Sequence, residues 1–334
     1  MISAEELRAR SQGAMSLHIA FIGVVNGLFS ALHRMGPASV AALAQETHLD
    51  AGYLQRWCDA AYAFSWLEKE GETYRLSEDG DLMRPEHPQS RMAAAVGTVL
   101  SAHMAERAAG LMRTGERPGE KVLAERETIL PWFGAMLEHN FRRTFEEKIV
   151  PALPFFSEIN ARQGLAVDLG CGNGWYLRAL LHQCAGLRGL GLDGFAENVR
   201  QATELAKAEG LGERLHFAEG DIHHFQLPEP ADLIAMNRAL HHVWEERGTL
   251  FTRLEQELRP GGALVIWEPA WPDDTQVLRE PAYRGMAFQN LTEHVQGNHF
   301  LRPQEIADAL AAAGLEPSIH PFGSDVVVLG RRRA

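Results

Sequence analysis

Residues 165–174, L-A-V-D-L-G-C-G-N-G, decide the fold. Leu165 to Leu169 is a short apolar run broken only by Asp168, the pattern of a strand buried on both faces of a parallel sheet. Gly170, Gly172 and Gly174 follow at alternate positions. Lacking a Cβ, they let the backbone turn tightly and approach a ligand before W-Y-L-R-A-L-L continues with helical periodicity. A strand, a glycine loop and a helix N-terminus together make a nucleotide site. The dinucleotide fingerprint G-x-G-x-x-G would need glycine at 175 or 177, where Trp175 and Leu177 stand, so an NAD reading fails at this loop.

Working outward, the chain alternates as a doubly wound α/β sheet does. L-R-G-L-G-L-D is a second strand ending in Asp193, followed by a helix with Val199, Ala202, Leu205 and Ala206 on one side. An acid at the end of that strand can accept both hydroxyls of a ribose. R-L-H-F-A-E-G-D-I is a third strand ending in Asp221, and A-D-L-I-A-M-N-R a fourth. L-R-P-G-G, residues 258–262, turns the chain into a fifth, A-L-V-I-W-E-P. An amphipathic helix stopped by Gly314 and a last strand, D-V-V-V-L-G-R-R-R, close the sequence.

Length, 334 residues, points to two domains, and an apolar fraction of 46% is ample for a core. A formal charge of −12 argues against a general polyanion binder and for a small-molecule partner. Three cysteines without a C-x-x-C pair suggest neither a disulfide framework nor a zinc site, so no metal is expected and a reducing cytoplasm fits. Residues 15–32 are mostly apolar but are interrupted by His18, Asn26 and two glycines, which reads as a buried helix rather than a membrane span.

After that helix, Ser39 introduces a short helix and Asp50 caps a longer one, A-G-Y-L-Q-R-W-C-D-A-A-Y-A-F-S-W-L. A hairpin turning at Gly71, with Tyr74 and Leu76 on its second strand, completes a winged helix. The would-be recognition helix offers one arginine, two acids and large apolar residues, a poor set for phosphates and base edges, so packing is its expected role. Residues 84–91 and 113–121 read as loops, and 129–150 as an aromatic-rich helix.

The D-x-G-x-G-x-G spacing of Asp168, Gly170, Gly172 and Gly174 resembles motif I of the class I S-adenosylmethionine-dependent methyltransferases. The R-P-G-G turn and the winged-helix start resemble the small-molecule O-methyltransferases among them. The resemblance implies a Rossmann-like, doubly wound, mostly parallel seven-stranded sheet over 156–334. It also implies a helical winged-helix dimerisation domain over 1–95, a helical linker over 96–155 that lines the substrate pocket, and a homodimer. The implied cofactor is S-adenosyl-L-methionine. Gly170, Gly172, Asp193, Asp221 and Ile222 would hold it, with Asp168 and Asn237 near its methionine end. Trp132, Phe133, His139, Trp267, Met286, Asn290 and His294 would line the acceptor pocket; no nucleic acid or membrane partner is implied.

Methyl transfer from a sulfonium is an in-line displacement that positioning can accelerate, and a hydroxyl acceptor also needs a base. The L-H-H-V-W segment aligns with the L-H-D-W segment of O-methyltransferases, whose histidine is the base. His241 matches it, His242 stands where the aspartate would be, and the choice between the two stays open. Glu268 matches a position that can orient the base. Four readings follow: methylation at oxygen, which is preferred; methylation at nitrogen or sulfur without a base; a cofactor-sensing DNA-binding regulator; and a catalytically silent partner subunit.

Overall fold

Side-chain caps punctuate the helical start of the chain, whose computed structural model describes residues 1–119 and 128–333. Among these, two compact units are formed, one by residues 1–107 with 128–140, the other by 108–119 with 141–333. The segment 96–155, expected as a linker, is therefore shared between them. Of the loop expected at 113–121, residues 120 and 121 lie outside the described residues.

In the first unit, Ser3 and Glu6 form a capping box at the start of the helix Ala4–Val25. The single helix expected over 15–32 is two. Gly27 takes φ +65°, and Leu28–Met35 restarts at a bend of 69°. No single described helix is long and apolar enough to cross a membrane. Ser39 and Asp50 cap Val40–Thr47 and Ala51–Ala63 through Ala42 N–H and Tyr53 N–H. The strands β1 (Leu67–Glu70) and β2 (Thr73–Leu76) pair antiparallel around the turn at Gly71. Trp57 is buried in this unit's core, edge-on to Phe29 at 5.6 Å, with its Nε1–H donated to Ile19 O. Leu54, Trp57, Cys58 and Ala61 of its helix are buried, while Tyr53 and Tyr62 of the same helix are exposed.

The second unit is built on a seven-stranded sheet in the order β5-β4-β3-β6-β7-β9-β8. Its strands are β3 (Leu165–Leu169), β4 (Arg188–Asp193), β5 (Leu215–Glu219), β6 (Ala231–Asn237), β7 (Leu258–Pro269), β8 (Glu316–Phe322) and β9 (Asp325–Arg331). The first five run parallel; β9 runs antiparallel to β7, and β8, antiparallel to β9, forms the edge in the sense of the first five. From β3 the chain steps outward to β4 and β5, then returns to β6 on the other side of β3. The glycine loop after β3 therefore lies at the topological switch point, where open α/β sheets bind ligands. All five residues of β3 are buried, as its apolar run requires. Glycines set the packing around it: a Cβ at Gly174 or at Gly191 would come within 2.4 Å of the Phe217 ring.

Candidate active site

The glycine loop is fastened across the end of β4. Gly170 N–H and Cys171 N–H both donate to Leu192 O, at 2.9 and 3.1 Å. Gly172 N–H donates to Asp193 Oδ2 at 2.8 Å, while Asp193 Oδ1 accepts from Phe195 N–H and Asn198 Nδ2, each at 3.0 Å. Three of the carboxylate's roughly four acceptor positions are thus taken. Both hydroxyls of a ribose fit there only if a present donor, Asn198 being the side chain among them, gives way.

On the other side of the loop, Asn237 at the end of β6 donates from Nδ2 to Asp168 Oδ1 at 2.8 Å. Burial pushes the Asp168 carboxyl well above the usual carboxylate range; the Asn237 hydrogen bond opposes this, and the nearby Asp193 charge adds to it. Asp221 and Ile222 follow the end of β5. The exposed Asp221 carboxylate folds back onto His223 N–H and the His224 ring, at 2.8 and 2.9 Å, and these bonds hold its pKa below the usual value. Asp168, Gly170, Gly172, Asp193, Asp221, Ile222 and Asn237 therefore all stand at the carboxyl ends of parallel strands.

Beyond β6 the chain makes a tight turn. Arg238 sits at φ +54°, donates its N–H to Trp267 O at 2.7 Å, and pairs its guanidinium with Asp325 at 3.1 Å. A 3-10 turn, Leu240–His242, follows. His241 is 4% exposed and Glu268, near the end of β7, is 1% exposed. Glu268 Oε2 accepts from His241 Nδ1 at 2.7 Å, and Oε1 accepts from Leu240 N–H at 2.8 Å. Burial pushes the Glu268 pKa up, but the charge and hydrogen bond of His241, with Arg238 and His242 beyond, outweigh it and hold the group below its ordinary value. The second nitrogen, His241 Nε2, lies 3.8 Å from Glu293 Oε2. Phe300 meets the His241 ring edge-on at 5.4 Å. The His242 ring lies 4.2 Å from the His241 ring, with its Nδ1 at 2.8 Å from Asn298 Nδ2.

The residues expected to line the acceptor pocket take these places. Trp267 is buried among Phe141, Phe145 and Trp175 with its Nε1–H on Asp325, because alternate residues of β7 face opposite sides and Glu268 takes the side of His241. His294 is exposed at the end of the helix Pro281–Glu293, and its neighbour Glu293 turns inward instead. Asn290 is engaged structurally, its Oδ1 accepting from Phe300 N–H at 2.7 Å. Met286 is buried on the same helix. Trp132 and Phe133 belong to the first unit, where they pack half-buried against its core, and His139 is exposed there. Sequence reasoning missed Arg238, Glu293, Asn298 and Asp325. For Arg238 a signal existed in its place between the strand-end Asn237 and the histidine pair; the others carry no motif.

The family profile described as methyltransferase domain matches residues 166–262. The O-methyltransferase SfmM3 of Streptomyces lavendulae is 26% identical over 230 residues, 65% of this chain and 66% of that protein. Across the curated relatives compared, the matched share of their own length runs from 37% to 70%. Among solved structures, an O-methyltransferase family protein from Burkholderia thailandensis superposes with a TM-score of 0.73 at 20% identity, covering 100% of this chain and 99% of that one. Human N-acetylserotonin methyltransferase, solved in complex with S-adenosylmethionine, superposes with a TM-score of 0.71 at 22% identity over 100% of both chains. Residues 166–262 are thus a methyltransferase domain, set in a sheet with the class I methyltransferase fold.

Proposed function

We propose that this methyltransferase acts on a hydroxyl group of a small molecule, with S-adenosylmethionine as methyl donor and His241 as general base. The observation that carries the reading is the buried Glu268–His241 pair at 2.7 Å, on the same edge of the sheet as the glycine loop. Glu268 keeps the His241 proton on Nδ1, so Nε2 presents its lone pair and takes the acceptor's proton. Glu293 Oε2 lies 3.8 Å from that nitrogen.

The residues at the loop suit the cofactor. Asn237 Oδ1 is buried with no hydrogen-bond partner among the described residues, and an α-ammonium group is a donor that would satisfy it. A Cβ at Gly172 would meet nothing within 4 Å, so the backbone is open to a ligand on that side. Asp193 and Asp221 would hold the adenosine. When bound, S-adenosylmethionine supplies a methyl group on a sulfonium, ready for displacement. Pairing of two chains through the first helix belongs to the same reading, since its exposed Leu7, Met15 and Ile22 recur at spacings of eight and seven, which bring them to one face. Incubating the purified chain with S-adenosylmethionine and pools of phenols, carboxylic acids, amines and thioethers, and measuring S-adenosylhomocysteine, tests the reading. Product with phenols or other hydroxyl compounds supports it, and product only with amines or thioethers overturns the acceptor assignment.

A further inference from the structure

His241, His242 and Glu293 bring one potential ligand atom each to within 4.8 Å of one another. The gap from His241 Nε2 to Glu293 Oε2, 3.8 Å, is wider than a hydrogen bond of at most about 3.2 Å and tighter than the roughly 4.5 Å that a bridging water needs. Zinc bonds of about 2.0–2.2 Å at tetrahedral angles set donors about 3.4 Å apart, so atoms that lie within 4.8 Å of one another close by at most about 1.4 Å to put three ligands on one ion. Each ligand is also held from behind. Glu268 orients His241 through Nδ1 at 2.7 Å, the arrangement in which a metal-bound histidine donates its other nitrogen to a carboxylate. Asn298 Nδ2 lies 2.8 Å from His242 Nδ1; with a metal on Nε2 the ring proton sits on Nδ1, and the flipped amide accepts it through Oδ1. Gln296 and Gln289 donate to the Glu293 carboxylate at 2.9 and 3.4 Å.

From this we propose that His241, His242 and Glu293 form an inhibitory site for a zinc-type divalent cation. Two imidazoles and one carboxylate are a donor set of intermediate softness, matched to zinc rather than to magnesium or calcium, which prefer oxygen. Bound there, the ion occupies the Nε2 lone pair and proton abstraction stops. This consequence rests on His241 being the base; the binding itself does not.

The test uses the full chain stripped with a chelator and titrated with Zn²⁺ by calorimetry, with turnover followed in parallel. The proposal expects one ion per chain, turnover lost over the same concentration range, and recovery on adding the chelator. Glu293→Gln keeps the shape of the side chain and is expected to weaken binding by about tenfold or more, and Asn298→Ala by about tenfold. Absence of binding overturns the site. Binding that accelerates turnover overturns its inhibitory role, and affinity unchanged in both variants overturns the ligand assignment. Failure of the base reading shows separately, as turnover of the stripped enzyme that survives His241→Gln while calorimetric binding to the wild type is unaffected.

Discussion

Glu268 and His241 face each other across the ends of neighbouring strands at 2.7 Å, and both are withdrawn from water. Because Glu268 also caps Leu240 N–H, it fixes the turn as well as the tautomer of the ring. In Glu268→Gln the single amide oxygen can serve only one of these donors. If it keeps Leu240, its NH₂ faces Nδ1 and drives the imidazole proton onto Nε2. The expected outcome is a kcat lower by about 10²-fold or more, with cofactor affinity retained. Steady-state kinetics beside a cofactor titration checks it.

The same pair gives a dependence of stability on pH with a definite sign. The Glu268 pKa is depressed in the folded state, so its stabilisation is present above the unfolded carboxylate value and is lost as pH falls through the folded value. The difference in Tm between wild type and Glu268→Gln is therefore expected to be full near neutrality and to shrink below the ordinary carboxylate range. Thermal melts along a pH series measure this.

Asp193 ties down the glycine loop through Gly172 N–H. Asp193→Ala is expected to weaken S-adenosylmethionine binding by on the order of tenfold or more, since it removes charge-assisted acceptors and the loop anchor together. Asn198→Ala frees an acceptor position without loosening the loop and should leave affinity unchanged or improved. Calorimetry on both variants separates anchoring from cofactor contact, and NAD should give no heat with either.

How far the sequence disclosed this molecule depends on whether a residue acts through local pattern or through distant packing. The buried run 165–169, the three glycines and the acid ending β4 follow local rules, so the fold and the glycine loop were legible. β8 was not, because Pro317 and Pro321 argue against a strand unless it lies at an edge, which is where it lies. The bend at Gly27 was hidden inside an unbroken apolar stretch. Glu293 and His294 are adjacent on one helix, and only the packing of that helix turns the acid inward and leaves the histidine in solvent. Asn298 and Asp325 act through bonds to residues far off in the chain, His242 and Arg238, which no spacing rule announces.

Asp168 holds a buried carboxyl whose charged form burial disfavours. Asp168→Asn removes that charge while keeping an acceptor for Asn237, so the ligand-free chain should melt about 2 °C higher or more. Cofactor affinity should fall in the same variant. A lower Tm would show that the carboxylate is a net stabiliser of the fold.

Leu7, Met15 and Ile22 are exposed on the first helix. If they pair two chains, the wild type scatters light as a dimer at micromolar concentration and Met15→Asp with Ile22→Asp scatters as a folded monomer with the helical circular dichroism of the wild type. A monomeric wild type contradicts the pairing.

The base itself is tested most directly by kcat with a hydroxyl acceptor, on chelator-stripped enzyme at saturating cofactor, for wild type and His241→Gln from about pH 5 to 9. Glutamine is chosen over alanine because its amide can still donate to Glu268, where an unpaired buried acid would cost about 3–5 kcal/mol. The wild-type rate should fall in acid, where a protonated imidazole has no lone pair to give. The variant should be slower by roughly 10² to 10⁴ and lose that acid limb, while His242→Gln keeps both rate and profile. A His241→Gln enzyme within tenfold of wild type, with the same pH profile, would contradict the histidine-base mechanism.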